Sequence, residues 1–165
     1  ASDYTALIQP YHVNRFLISL FPFLLSHISY IVALLAPVLR DGSPEPWMLP
    51  AAAALAVVGF FVYRLLRPGL GSMKAPVLLY TVVILAMALA ALLRAPVVSG
   101  PVVPGPAFWL PLLGAVFFLI SDTALAYRAF RRPFPHAGRL VAVTYVLAQT
   151  LIVTGVALGE GLSLL

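Results

Sequence analysis

The stretch AFWLPLLGAVFFLISDTALAY, residues 107–127, decides the fold. As a helix it is long enough to cross the hydrocarbon core of a membrane, which takes about 20 apolar residues, and its one charged residue is Asp122. Four further stretches of similar length and apolarity lie at residues 16–39, 48–66, 75–93 and 140–157. The sequence therefore predicts an all-α, polytopic transmembrane helical bundle of about five spans, in a single domain over residues 1–165.

Composition supports a lipid-embedded protein and argues against several other classes. Of 165 residues, 62% are hydrophobic and only 9% are charged, and the mean hydropathy is +1.05. So few charges cannot cover the surface of a soluble domain of this size. The net charge of +5 does not indicate nucleic-acid binding, because the basic residues sit at the ends of apolar stretches. The absence of cysteine excludes a thiolate nucleophile, a disulfide and a cysteine-based metal site.

The connections between the stretches set the predicted orientation. Residues 41–46 and 96–106 are rich in proline and glycine and are predicted to be loops. Positive charge is concentrated on one side of the bundle, which the positive-inside rule places in the cytoplasm. The basic residues of that side are Arg15, Arg64, Arg67, Lys74, Arg128, Arg131, Arg132 and Arg139.

Asp122 is the first candidate for chemistry. A carboxyl group inside a membrane span is costly, so it is a functional hypothesis by default. It lies six residues before Arg128, which is about 9 Å from the predicted cytoplasmic end of the helix. The alternative is a structural Asp hydrogen-bonded to a neighbouring helix.

Three more polar side chains are predicted to reach the same depth. Tyr80 lies six residues after Lys74, and Tyr145 lies six residues after Arg139, so each is also about 9 Å from that side. Gln149 shares a helix face with Tyr145, four residues away. The spacing predicts one polar layer contributed by three helices. The alternative is that Tyr and Gln only pack the helices together through hydrogen bonds.

Other polar residues carry weaker signals. His27 and Tyr30 lie three residues apart on one helix face, although a lone His in a span is more often structural. Lys74, at the predicted membrane interface, is suited to a lipid phosphate, and equally to snorkelling toward water. Ser121 points about 100° around the helix from Asp122 and forms no dyad with it by adjacency.

Known catalytic motifs do not occur in the chain. There is no H-E-x-x-H or G-x-S-x-G motif, and the three histidines have no metal-ligand spacing. The sequence predicts no metal site and no cofactor. Residue spacing alone therefore leads to an acid in a polar membrane cavity.

Four blocks of sequence, in order along the chain, resemble the lysoplasmalogenase family of YhhN-like membrane hydrolases. The blocks are FLLSHISY at 23–30, MKAPVLLY at 73–80, GAVFFLISDTALAYRAF at 114–130 and YVLAQTLIVTG at 145–155. Members of this family have about eight spans, with a Gly-Asp ending an early helix, and Ser2-Asp3 resembles that Gly-Asp. The resemblance implies that two or three further helices precede this sequence.

The resemblance also implies an activity, a substrate and a location. We expect hydrolysis of the vinyl ether bond of a lysoplasmalogen, which gives a fatty aldehyde and glycerophosphoethanolamine or glycerophosphocholine, in a bacterial inner membrane. Asp122 and Asp3 would be the catalytic acid and base, in unassigned order. The partners would be the lysophospholipid and membrane lipids, not nucleic acid. The expected substrate-binding residues are Lys74, Tyr80, Tyr145, Gln149, His27, Tyr30 and Ser121.

Two other functional classes fit the same residues. A lipid-binding or proton-coupled transport protein would also place a carboxyl group such as Asp122 within the membrane. Inverted repeats would favour transport, and the sequence shows none. A structural subunit would use the polar layer only to pack its helices.

Overall fold

Each apolar stretch folds as a helix in the computed structural model, which describes residues 4–42, 45–98 and 105–162. Five helices are long and apolar enough to cross a membrane, and the described residues form no strand, so the predicted all-α bundle is confirmed. The protein is an integral, multi-pass membrane protein. The long helices are α1 (Tyr4–Asp41), α2 (Met48–Leu66), α3 (Lys74–Leu93), α5 (Pro106–Phe130) and α6 (Ala137–Leu162), with a single turn, α4 (Ala95–Val98), between α3 and α5.

Most helix boundaries lie within five residues of those predicted, and two regions differ in kind. Helix α1 begins at Tyr4 rather than at residue 16, because helix formation does not require the hydropathy of a membrane span, and only its part from Leu20 to Asp41 is apolar enough to cross. The predicted loop at 96–106 begins with the α-helical turn α4 instead. Pro96 fits there because the first turn of a helix does not need its missing N–H.

Helices α5 and α6 form the closest pair, and small residues allow it. An added Cβ on Gly114 of α5 would lie 2.6 Å from Ile152 Cγ1 and 2.9 Å from the Ala148 carbonyl oxygen, both on α6. Gly155 of α6 meets Pro111 of α5 in the same way. Small residues of this kind let helix backbones approach closely in a membrane, where packing rather than hydrophobicity drives association.

Helix α3 lies at the centre of the bundle and packs against α1, α2 and α5. The main buried cluster includes Leu34 from α1, Met87 from α3, Phe118 from α5 and Ile152 from α6. Large apolar side chains such as Phe60 are exposed on the outer faces, as expected where the solvent is lipid. This packing aligns the inner faces of α1, α3 and α5, and the polar layer lies there.

The connection between α2 and α3 closes the predicted cytoplasmic end of the bundle. It consists of two 3₁₀ turns, Arg67–Gly69 and Gly71–Met73, separated at Leu70. Gly69 packs directly against the Phe130 carbonyl at the end of α5, where no side chain would fit. Gly71 has a φ of +50°, which glycine adopts without steric cost. The backbone of this connection is thus pressed against the end of α5.

Candidate active site

Asp122 and Tyr80 form the centre of the polar layer. Asp122 on α5 is buried, and its Oδ2 accepts a hydrogen bond of 2.9 Å from the Tyr80 hydroxyl on α3. The equal depth predicted from spacing therefore corresponds to direct contact. The bond joins two helices and fixes one oxygen of the carboxyl group.

His27 on α1 is the second partner of Asp122. Its Nδ1 lies 2.6 Å from the Phe23 carbonyl oxygen, and because a carbonyl only accepts, Nδ1 carries the hydrogen. Its Nε2 lies 3.5 Å from Asp122 Oδ2. The ring is fully buried, and Nε2 has no hydrogen-bond partner in the described part of the chain. The nitrogen facing the carboxyl group is therefore an acceptor when the ring is neutral.

Aromatic rings surround this acid and imidazole pair. The Phe118 ring centroid lies 4.5 Å from that of His27 and 5.5 Å from that of Tyr145. The Tyr30 ring centroid lies 6.2 Å from that of Phe118, and the Tyr80 ring meets His27 edge-on at 5.4 Å. These contacts hold the imidazole in one orientation and give it apolar surroundings.

Tyr145 and Gln149 form a second polar pair, on α6. Gln149 Nε2 donates a hydrogen bond of 2.8 Å to the Tyr145 hydroxyl, so the predicted shared face is occupied by an internal contact. Tyr145 reaches the layer through its ring, which packs against Phe118 and Phe23. Within the described part of the chain, the Tyr145 hydroxyl bonds to Gln149 and not to Asp122.

Two of the predicted site residues, Ser121 and Lys74, lie away from the centre of the layer, and a third, Asp3, is not among the described residues. Ser121 Oγ donates to the Val141 carbonyl of α6 at 3.1 Å, so it fastens α5 to α6 and does not face Asp122. Lys74 is exposed at the start of α3, beside Arg67 in an open depression of the surface. Asp3 lies outside the described residues.

A cavity and a groove adjoin the polar layer. The cavity, of about 30 Å³, is lined by both Tyr80 and Asp122 and otherwise mainly by apolar side chains of α2, α3 and α5. That volume is enough for one water molecule. An open groove of about 520 Å³ lies next to it between α2 and α5. Val62, Leu119 and Thr123 line both, so the carboxyl group lies close to a lipid-facing entrance.

Arg94 is a buried polar residue that the sequence did not single out. It is 1% exposed at the end of α3, and Gly159 of α6 leaves the space that its guanidinium occupies. Glu160 supplies an opposite charge that acts on it. It lies fourteen residues from Tyr80, about 21 Å along the helix, and so belongs to the opposite end of the bundle.

The described residues contain no group of three or more His, Cys, Asp and Glu side chains that could hold a metal ion. The groups that the described residues bring together at the centre of the layer are the Asp122 carboxyl group, the His27 imidazole and the Tyr80 phenol. Such a set can donate and accept protons at a site from which bulk water is excluded.

Comparison with known proteins gives two matches. The model of the YhhN family matches residues 5–156. A segment of 39 residues is 54% identical to lysoplasmalogenase TMEM86B of Sus scrofa. This segment makes up 24% of this chain and 17% of that protein. The aligned segment thus spans less than a fifth of the relative. No solved structure matches significantly.

Proposed function

The chain belongs to the YhhN family, and on this premise we propose that it hydrolyses the vinyl ether bond of a lysoplasmalogen within the membrane. The partial relative is named a lysoplasmalogenase, which supports a membrane hydrolase acting on a lipid. The observation that carries the proposal is the buried Asp122, bonded to Tyr80 and lining a water-sized cavity beside a groove open to lipid.

The reaction matches the groups of the layer. Protonation of the outer alkene carbon of a vinyl ether creates an oxocarbenium ion, which water captures to give a hemiacetal, and the hemiacetal collapses to an aldehyde and an alcohol. Asp122 is the proton donor in this scheme, and its carboxylate then stabilises the cation in surroundings of low dielectric. Asp3 remains the proposed second carboxylate. Tyr145, Gln149 and Tyr30 are proposed to position the water or the glycerol part.

The predicted membrane geometry suits a lysolipid with its head group at the interface. Asp122 lies six residues before Arg128, about 9 Å from the basic residues at the predicted cytoplasmic side, and we propose that the ether bond reaches this depth. Lys74, beside Arg67 at that end, is proposed to hold the phosphate. The alkenyl tail leaves through the groove between α2 and α5. We place the protein in a bacterial inner membrane with these basic residues on the cytoplasmic side.

The test is an assay of the purified protein in detergent with lysoplasmenylethanolamine. We expect fatty aldehyde and glycerophosphoethanolamine in equal amounts. The matched control is the lysolipid with a saturated ether at the same position, which has no alkene carbon to protonate and is expected to remain intact. Cleavage of both ethers would contradict protonation at carbon. Saturable binding of the vinyl ether lipid without aldehyde would favour a binding or transport protein.

A further inference from the structure

His27 is buried beside Asp122, and the proposed reaction has not yet given a role to its Nε2, the nitrogen that faces Asp122. A neutral imidazole has one donor and one acceptor nitrogen. The donor, Nδ1, is committed to the Phe23 carbonyl at 2.6 Å. The acceptor, Nε2, is left without a hydrogen-bond partner among the described residues, 3.5 Å from an oxygen of Asp122.

His27 is 0% exposed, and a buried acceptor without a hydrogen bond destabilises the folded protein unless a bound molecule donates one to it. The one hydrogen bond of the His27 ring stays within α1. Between helices, Nε2 has the 3.5 Å contact with Asp122 Oδ2, which is an ion pair only when the ring is protonated. The other contacts of His27 are edge-on ring contacts with Phe118 and Tyr80, which a phenylalanine would make equally well. Packing therefore explains why an aromatic ring lies at this position, but not why a nitrogen without a hydrogen bond faces Asp122.

From this geometry we propose that His27 is a catalytic base, whose Nε2 takes the proton from the water that captures the oxocarbenium ion. The assignment rests on the proposed hydrolysis and gives the role of base to His27 rather than to Asp3. Asp122 and Tyr80 line the water-sized cavity and His27 does not, so His27 meets the site through Asp122 Oδ2, which lies 3.5 Å from Nε2. A water hydrogen-bonded to that carboxyl oxygen on the side of His27 would lie within reach of Nε2.

The protons balance over a full cycle that starts from a protonated Asp122 and a neutral His27. First, the Asp122 O–H bond breaks and a C–H bond forms at the outer alkene carbon, leaving a carboxylate and an oxocarbenium ion. Water then forms a C–O bond to the cationic carbon and gives one proton to Nε2. The products of this step are a neutral hemiacetal, the carboxylate and an imidazolium.

Collapse of the hemiacetal returns both groups to their starting states. Its hydroxyl proton passes to the Asp122 carboxylate as the bond from carbon to the glycerol oxygen breaks. The His27 imidazolium protonates that oxygen as it leaves. One water is consumed, and the aldehyde and the glycerol hydroxyl are released without any other reactant. Two proton-carrying groups side by side are what this exchange requires.

The test compares His27→Ala and Asp122→Asn with the parent protein, in the presence and absence of sodium azide. Azide is a small anion that captures an oxocarbenium ion without giving up a proton, so it makes a base unnecessary. We expect His27→Ala to lose about 100-fold or more in aldehyde release. Azide should restore consumption of the lipid by this variant and yield the azido ether, detected by mass spectrometry. Asp122→Asn should not respond, because it forms no cation.

The control is His136→Asn, at the exposed histidine before α6, which should behave as the parent. Its φ of 59° is one that asparagine tolerates. Thermal unfolding in detergent shows that each variant is folded. Aldehyde release by His27→Ala within about threefold of the parent would overturn the assignment. So would a folded, inactive His27→Ala that azide does not restore. A parent protein that releases no aldehyde would instead refute the hydrolase itself.

Discussion

The Tyr80 hydroxyl on α3 donates a hydrogen bond of 2.9 Å to Asp122 Oδ2 on α5. The two residues are 42 positions apart in the chain, and their contact is a side-chain hydrogen bond between these two helices. Because the bond occupies one carboxyl oxygen, it orients the whole group. The geometry of the proposed acid therefore depends on a phenol from another helix.

Tyr80→Phe should lower activity without abolishing it. The variant keeps the ring that packs on His27 and loses only the hydroxyl. A hydrogen bond to a charged group contributes about 1.5–3 kcal/mol, so we expect kcat to fall about 10-fold to 100-fold. The measurement is steady-state aldehyde release. Tyr63→Phe, in the apolar cluster at the connection of α2 and α3, is the control, and an equal loss there would argue against a specific role for the Tyr80 hydroxyl.

The sequence predicted that Tyr80 and Asp122 lie at the same depth, but it did not predict that His27 lies beside Asp122. Counting from Lys74 and Arg128 places Tyr80 and Asp122 at one depth, since both ends carry basic residues at the interface. His27 lies eleven residues after residue 16, where the first span is predicted to begin, and therefore near the middle of that predicted span. The crossing part of α1 starts at Leu20, which puts His27 seven residues in, about 10.5 Å, and within the layer.

Ser121 is a residue whose angle around the helix, but not whose neighbour, could be predicted from spacing. Its angle from Asp122 around the helix was predicted, but which neighbour it would face was not. The close approach of α6, permitted by Gly114 and Gly155, places the Val141 carbonyl at the Ser121 hydroxyl. Helix neighbours depend on tertiary packing, which periodicity along one chain does not encode. The burial of Arg94 beside Gly159 was missed for the same reason.

Gly114→Ala should destabilise the bundle. Its Cβ would lie 2.9 Å from the Ala148 carbonyl oxygen, a backbone atom of α6 that cannot move alone. Overpacking of this kind costs about 1–3 kcal/mol, seen as a lower unfolding temperature in detergent. Gly161→Ala, which would meet open space, is the control and should not lower that temperature. An unfolding temperature of Gly114→Ala equal to that of the parent would contradict the tight pairing of α5 and α6.

Thr123→Trp should discriminate between substrates by tail length. Thr123 lines both the cavity and the groove, so a tryptophan there narrows the exit of the alkenyl tail. We expect a larger loss of kcat/KM for a long-chain lysoplasmalogen than for a short-chain one. The control is Val153→Trp on the lipid-facing side of α6. Equal losses for both chain lengths would place the tail elsewhere.

Hydrolysis in D₂O should place one deuterium on the α-carbon of the aldehyde product, which is the carbon bonded to its carbonyl carbon. That carbon is the one that the acid protonates in the proposed scheme. The aldehyde is reduced to the alcohol immediately after the reaction, and the deuterium is measured by mass spectrometry. An aldehyde without this deuterium would show that the ether bond breaks by another route. Aldehyde added to the reaction buffer without protein controls for exchange through the enol.

The most direct test of the central claim is aldehyde release from lysoplasmenylethanolamine by the parent protein, Asp122→Asn and Asp41→Asn in one preparation. Asp41 is an exposed carboxylate paired with Arg40 at 2.7 Å, far from the polar layer, and its variant serves as the control for loss of a carboxyl group. The account predicts that the parent and Asp41→Asn release aldehyde at similar rates, while Asp122→Asn is slower by about 100-fold or more with its unfolding temperature retained. Undiminished release by a folded Asp122→Asn would contradict it.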